Sequence, residues 1–232
     1  MANARVVTIV MKLLVSSDLH GNFQRLDQLL GQVHIHTPDI IVISGDLTHY
    51  GSVSDVTDIL NKLSTLSLPI YFVPGNLDPI DLQDQVKIRH TTNLHGKSVD
   101  FNTYTFIGIG GSLYTPFNTR FELSENEIQT LLYGVFDQLP VKSTHILISH
   151  NPPFNTRLDV TSSGYHVGSK ALRDFIIATH PILVMCGHIH EAQSIDQLNN
   201  SLLINPGPLF AGYYGVVEID QNDNIQANLC RL

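Results

Sequence analysis

Five short apolar runs in this chain each end on a cluster of metal-type side chains, and that repetition narrows the folds open to it. Lys12–Ser17 leads into Asp18-Leu19-His20, Ile40–Ser44 into Gly45-Asp46, and Ile70–Val73 into Gly75-Asn76-Leu77-Asp78. Further on, Ile146–Ser149 precedes His150, and Ile182–Met185 precedes Cys186-Gly187-His188-Ile189-His190. Runs of this length, rich in β-branched residues and apolar on both faces, predict buried parallel strands. Helix-period segments lie between them: Asn22–Val33, with Phe23, Leu26, Leu29, Leu30 and Val33 on one face; Ser52–Leu66, with Val53, Val56, Leu60 and Leu63; and Lys170–Thr179. This alternation predicts βαβ units. In an open α/β sheet the ligand crevice lies beyond the carboxyl ends of the strands, so the five clusters are expected to meet there. Two histidines at i and i+2 on a continuing strand face opposite sides. His188 and His190 can share a site only if the chain turns after the strand, and Gly187 is expected to give the freedom to turn.

The rest of the chain fills in an architecture. Val99–Phe101 and Tyr104–Ile109 flank Asn102-Thr103 as a hairpin. Ser124 and Glu127 form a capping box that opens a helix through Phe136. The tail runs Leu202–Ile204, Val216–Ile219 and Ile225–Leu229 read as antiparallel, with a turn at residues 221–224. Two sheets sharing one core, with helices outside, account for this order. The 232 residues suit one domain, 1–232, with residues 1–10 as an N-terminal extension because Met11 is a second candidate start. No apolar run approaches the ~20 residues that span a bilayer, so no membrane association is expected and the cytoplasm is the default location. A net charge of -8 without any basic block argues against nucleic acid as a partner. Cys186 and Cys230 do not make a disulfide framework, and Cys186 is expected in the core.

Among the strand-end clusters, Asp18, Asp46, Asn76, His20, His150, His188 and His190 form a mixed oxygen and nitrogen donor set. Alone, any of these histidines would be an ordinary loop or core residue, and an isolated Gly-Asp is often a turn. Their shared strand-end context points instead to a metal site. Seven donors exceed what one tetrahedral ion takes, and suit two ions sharing a carboxylate. Without a thiolate in the set, Mn²⁺, Fe, Co²⁺, Ni²⁺ or Zn²⁺ would be suitable, with Mn²⁺ the leading expectation. Two divalent ions would outweigh Asp18, Asp46 and a bridging hydroxide by about one positive charge, attracting an anionic ester to an acidic protein.

The pattern resembles that of the calcineurin-like metallophosphoesterases: Asp-x-His, Gly-Asp, Gly-Asn-His-Asp/Glu, His and Gly-His-x-His. Gly111-Ser112, Thr115-Pro116-Phe117, residues 149–153, His166-Val167-Gly168-Ser169 and residues 205–208 extend the resemblance to the small Icc-related phosphoesterases. The resemblance implies a four-layer αββα sandwich of two mixed β-sheets flanked by helices. It also implies a binuclear centre in which Asp18, His20, Asp46 and His190 hold one metal. Asp46, Asn76, His150 and His188 would hold the other, with Asp46 bridging. A metal-bridging hydroxide would then attack phosphorus in line, with Asp46, Asn76 and His150 positioning hydroxide and phosphate.

One departure stands out. The family's third motif carries His where this chain has Leu77, and that His is generally assigned to the leaving group. Asp78, which would orient it, is expected to lack its partner. Loss of a general acid costs roughly 10²–10⁴-fold for a poor leaving group. Activity is therefore expected on activated diesters, aryl phosphates or pyrophosphate-type linkages, with a small phosphate ester as the partner. His49 and His166 are candidate substitute acids, and Asp78 a further catalytic candidate. Arg120 and Arg157 are the cations available to touch phosphate. His34, His36, His90, His95, His145 and His180 read as ordinary histidines. The alternative, which Leu77 favours, is a non-catalytic interaction module on the same scaffold. A homo-oligomer is compatible with everything above.

Overall fold

The computed structural model describes residues 8–82, 87–140 and 143–232, so residues 1–7 of the expected N-terminal extension lie outside the described residues. In chain order the elements are β1 (Ile9–Ser16), α1 (Phe23–His36), β2 (Ile40–Ser44), α2 (Val53–Ser64), β3 (Ile70–Val73) and β4 (Thr91–Asn93). Then come β5 (Lys97–Phe101), β6 (Tyr104–Ile109), β7 (Ser112–Leu113), β8 (Glu122–Leu123), α3 (Glu125–Phe136) and β9 (Thr144–Ser149). The last are α4 (Lys170–Thr179), β10 (Leu183–Met185), β11 (Ser194–Leu198), β12 (Ser201–Asn205), β13 (Tyr213–Asp220) and β14 (Ile225–Arg231).

One sheet runs β14-β13-β1-β2-β3-β4 and the other β11-β12-β10-β9-β6-β5. Each is parallel at its centre and antiparallel toward one or both edges. The period-2 alternation of a strand explains the layering. Met11, Leu13 and Val15 point into the core between the sheets, where they meet Phe106, Ile146 and Met185. Leu14 points outward, with Ile41 and Ile43, onto the apolar faces of α1 and α2. Across the molecule Ile107, Leu147 and Val184 pack beneath α3 and α4. The four-layer arrangement expected from the sequence is the one observed.

Two local readings are corrected. The tail is not one antiparallel unit: β12 lies parallel to β10 in the second sheet, whereas β13 and β14 pair antiparallel in the first. Its alternation shows strands but not which sheet each joins. Phe23, placed on the buried face of α1, is 42% exposed because the helix begins there and its first turn overhangs the sheet. The expected capping box of Ser124 with Glu127 closes, and the structure shows a second one, Ser52 with Asp55, at the start of α2.

His95 fastens the β4–β5 connection to the strand end beside the crevice. It is buried, its Nδ1 accepts from the Gly110 amide at 2.9 Å, and its ring meets Phe121 edge-on. Burial, and then the Lys97 charge, push its pKa from 6.5 down to about 4. The unfolded chain takes up this proton near pH 6.5 while the folded state refuses it until about 4. Stability present above pH 6.5 should therefore fall as the pH drops toward 4. Urea midpoints measured across that window should decline less steeply in His95→Gln than in the native chain.

Candidate metal centre

The five strand-end segments are stitched together by backbone amides that donate to carbonyls and carboxylates of neighbouring segments. Amides of Asp18, His20 and Gly21 donate to the carbonyls of Gly45, Asp46 and Leu47 at 2.8–3.0 Å, so the first two loops run side by side. Gly187 donates to the His150 carbonyl, and the His188 amide donates to the Asp18 carboxylate at 3.2 Å. The bends require unusual backbone: Asp18, His20, Asp46 and His188 all sit at positive φ, between 48° and 69°. Non-glycine residues in this region cost on the order of 1–3 kcal/mol each and persist only where the surroundings hold them. Their coincidence with the sequence-predicted donors marks a site built against local preference.

All seven predicted donors lie in one connected cluster. Ligand atoms of Asp18, His20 and His190 lie within 4.8 Å of one another, as do those of Asp18, Asp46 and His150. Asp46 Oδ2 is 3.6 Å from both His20 Nε2 and His150 Nε2, so this carboxylate reaches both groups. Asn76 Oδ1 lies 2.9 Å from His150 Nε2, and the His188 ring meets that of His150 with centroids 5.0 Å apart. Asp18, Asp46, Asn76 and His150 are at most 4% exposed.

Gly187 and Gly75 serve closeness rather than bending. Gly187 is not among the left-handed residues; His188, at φ 69°, makes the turn. A Cβ at Gly187 would collide with Ser17 Oγ and crowd the Asp18 carboxylate, and one at Gly75 would strike the Asp46 carboxylate. Asp78 has a structural role that residue type did not announce. With Leu77 in place of a histidine partner, its oxygens accept instead from the amides of Leu47, Thr48 and Gly75 and from Thr48 Oγ1, at 2.8–3.0 Å. It clamps the second and third loops together.

Leu77 is buried, and its amide donates to Asp46 Oδ1 at 2.9 Å. His49 lies against the cluster, with Nδ1 3.1 Å from His20 Nδ1 and the rings stacked. His166 is held by buried Asp159 at 2.7 Å in the loop between β9 and α4. Arg120 donates to the Gly51 carbonyl and covers the Tyr50 ring, while the side chain of Arg157 is exposed. Sequence reasoning gave Asn205 only as part of a resemblance. The structure shows it buried, donating to the Ile189 carbonyl and accepting from Gly207, so that it braces the His188–His190 turn.

The family model of calcineurin-like phosphoesterases matches residues 11–192, a span containing all seven donors. The chain belongs to this family. An uncharacterized protein of Methanocaldococcus jannaschii is 35% identical over 202 residues, covering 85% of this chain and 88% of its own. The crystal structure of TT1561 from Thermus thermophilus superposes with a TM-score of 0.76 at 19% identity, over 95% of this chain and 99% of its own. A dimetal phosphatase from Danio rerio gives 0.66 at 10% identity, over 96% and 99%. Both structures share the fold. Membership supports a hydrolase, and the family uses divalent metals.

Electrostatics test whether this calcineurin-like phosphoesterase suits such ions. Burial, then the charges of Asp78 and Asp18, push Asp46 well above the usual carboxylate range. Burial opposes ionisation of Asp18 too, but the neighbouring imidazoles of His190 and His20, 3.3 and 3.8 Å from Oδ1, hold it well below that range. Burial pushes Asp78 up, and its four donors pull it back. Burial, then His150, pushes His188 down to about 3, leaving its ring neutral. Asp18 Oδ1 and His20 Nε2 are buried without a hydrogen-bond partner among the described residues. His150 Nδ1 faces the Ser44 carbonyl at 2.7 Å and so carries the proton, which turns a lone pair on Nε2 toward Asn76 Oδ1. Converging lone pairs, neutral imidazoles and uncompensated carboxylates are the donor chemistry divalent cations need. The residues fit.

Removing the Asp78 carboxylate should leave four buried donors unsatisfied. Asp78→Ala is expected to lose about 3 kcal/mol or more in urea unfolding. A variant as stable as the native chain would show that the clamp is dispensable.

Proposed function

We propose that this chain is a binuclear metal-dependent phosphoesterase that cleaves small phosphodiesters whose leaving groups depart readily as anions. The observation that carries the reading is the convergence of seven buried or half-buried donors, four of them on strained backbone, at the carboxyl ends of parallel strands. In this proposal Asp18, His20 and His190 hold one ion, Asn76, His150 and His188 the other, and Asp46 touches both. The 3.6 Å separations of Asp46 Oδ2 from His20 and His150 support its bridging place.

When bound, two divalent ions supply charge neutralisation at phosphorus and lower the pKa of water to ~7. The chain's own residues orient everything else. The Ser44 carbonyl fixes the His150 tautomer. The Leu77 amide fixes one oxygen of Asp46, leaving the other to the centre. Leu77 itself offers no proton, which favours a leaving oxygen that departs as an anion. His49 stacks on His20 and orients that ring, while His166 is tied to Asp159.

Asp46→Asn and His190→Ala should each lower metal-stimulated hydrolysis of bis(4-nitrophenyl) phosphate by about 100-fold or more, beyond what the loss of a supporting residue costs. Native-like turnover in both would reject the mechanism. Leu77 also favours a non-catalytic module; elemental analysis showing no metal after incubation with Mn²⁺ would decide for that reading. Restoring an acid with Leu77→His should raise turnover of weakly activated monoesters at least about tenfold and change activated diesters little.

A further inference from the structure

A cavity of about 450 Å³ opens beside the candidate centre, sharing Asn76 and His188 with it. Its other walls are largely apolar: Leu113, Tyr114, Pro116, Phe117, Val167 and Ile189. Tyr114 and Phe117 are 70% and 79% exposed, an unusual state for two neighbouring aromatics. The loop that carries them is nevertheless firmly pinned. The short β7–β8 pairing closes its ends, Glu122 accepts from the Thr115 hydroxyl and from the amide and hydroxyl of Thr119, and Arg120 ties it to Gly51. A rigid loop presenting two aromatic rings over a cavity is preorganised to bind a flat apolar group.

The charge of the cavity restricts that group further. Among the described residues no Lys or Arg lines it, and its charged residue is Glu191, whose carboxylate accepts from the Ser162 amide. Away from the metal side, a second phosphate would meet the Glu191 carboxylate and no basic side chain. Resting on the phosphoesterase reading above, we propose that the cavity is the leaving-group subsite and that the substrate is a monoanionic phosphodiester of an uncharged planar aryl alcohol. Pyrophosphate-type linkages are disfavoured by the same walls. In the reaction the oxygen of a water molecule forms a new bond to phosphorus. The bond from phosphorus to the aryl oxygen breaks, both electrons leave with the aryloxide, and a proton of the water passes to solvent. Leu77 is consistent with this outcome, because an aryloxide departs without an acid.

The test compares the Mn²⁺-loaded native chain with the double variant Tyr114→Ala, Phe117→Ala; both side chains are exposed, so folding should be untouched. For 4-nitrophenyl methyl phosphate, kcat/KM should fall about tenfold in the variant, mainly through KM. Methyl acetyl phosphate, an activated diester without a ring, should change by no more than roughly twofold. In parallel, calorimetry should find methyl phenylphosphonate binding about tenfold tighter than methyl methylphosphonate to the native chain, and equally to the variant. Equal binding of the two phosphonates to the native chain, or equal losses on both esters, would overturn the subsite even if hydrolysis proceeds. Selective aryl phosphonate binding without hydrolysis of either ester would uphold the aryl subsite and reject the phosphoesterase reading instead.

Discussion

Three buried carboxylates, Asp18, Asp46 and Asp78, crowd the carboxyl end of the first sheet, and the rest of the site is arranged around their mutual repulsion. Each is handled differently. Asp78 is neutralised by a ring of backbone and hydroxyl donors, and in return it locks two loops in register. Asp18 is set against the imidazoles of His190 and His20. Asp46 has a single amide on one oxygen and two histidine nitrogens near the other, so its charge is the least compensated. A buried anion in that position raises its own pKa unless a cation arrives. The centre is therefore electrostatically poised for metal, and the strained backbone at Asp18, His20, Asp46 and His188 is held by the loop-to-loop hydrogen bonds that create the crowding.

The fold supplies the means. Parallel strands end together, so residues far apart in sequence emerge within a few ångströms of one another. Close approach then depends on missing side chains: at Gly187 and Gly75 a methyl group would occupy the space of Ser17 or of the Asp46 carboxylate. Behind the loops, apolar residues from both sheets fill the middle layer, and the chain that leaves β12 returns through Asn205 to brace the last motif.

Chemistry at the centre and shape beside it agree about the leaving group. In the proposed reading Leu77 stands where the resemblance places a proton source, and the neighbouring cavity offers aromatic and aliphatic walls with one carboxylate. Neither feature alone would select a substrate. An apolar pocket could bind many alcohols, and a missing acid could be replaced; together they favour a leaving group that is flat, uncharged and stable as an anion.

Much of this was legible in the amino-acid order, for a physical reason. Strand period, helix period and turn chemistry are local, so the four layers and the strand-end position of Asp18, Asp46, Asn76, His150 and His188 follow from short windows of sequence. Where the outcome depended on non-local contacts, local reading failed. It could not say that β12 joins the second sheet while β13 and β14 join the first, nor that β4, β7, β8 and β11 exist, since these are short or polar strands defined by their partners. It could not foresee the clamp Asp78 makes, because three of its four donors are backbone amides, which no residue type announces. It credited Gly187 with the turn that His188 makes. By itself the sequence determined the candidate donors and the alternating layers that bring them to neighbouring strand ends. Tertiary structure alone decided which carboxylate stays uncompensated and that two exposed aromatics stand over a cavity beside His188, because both depend on which loops happen to be neighbours in space.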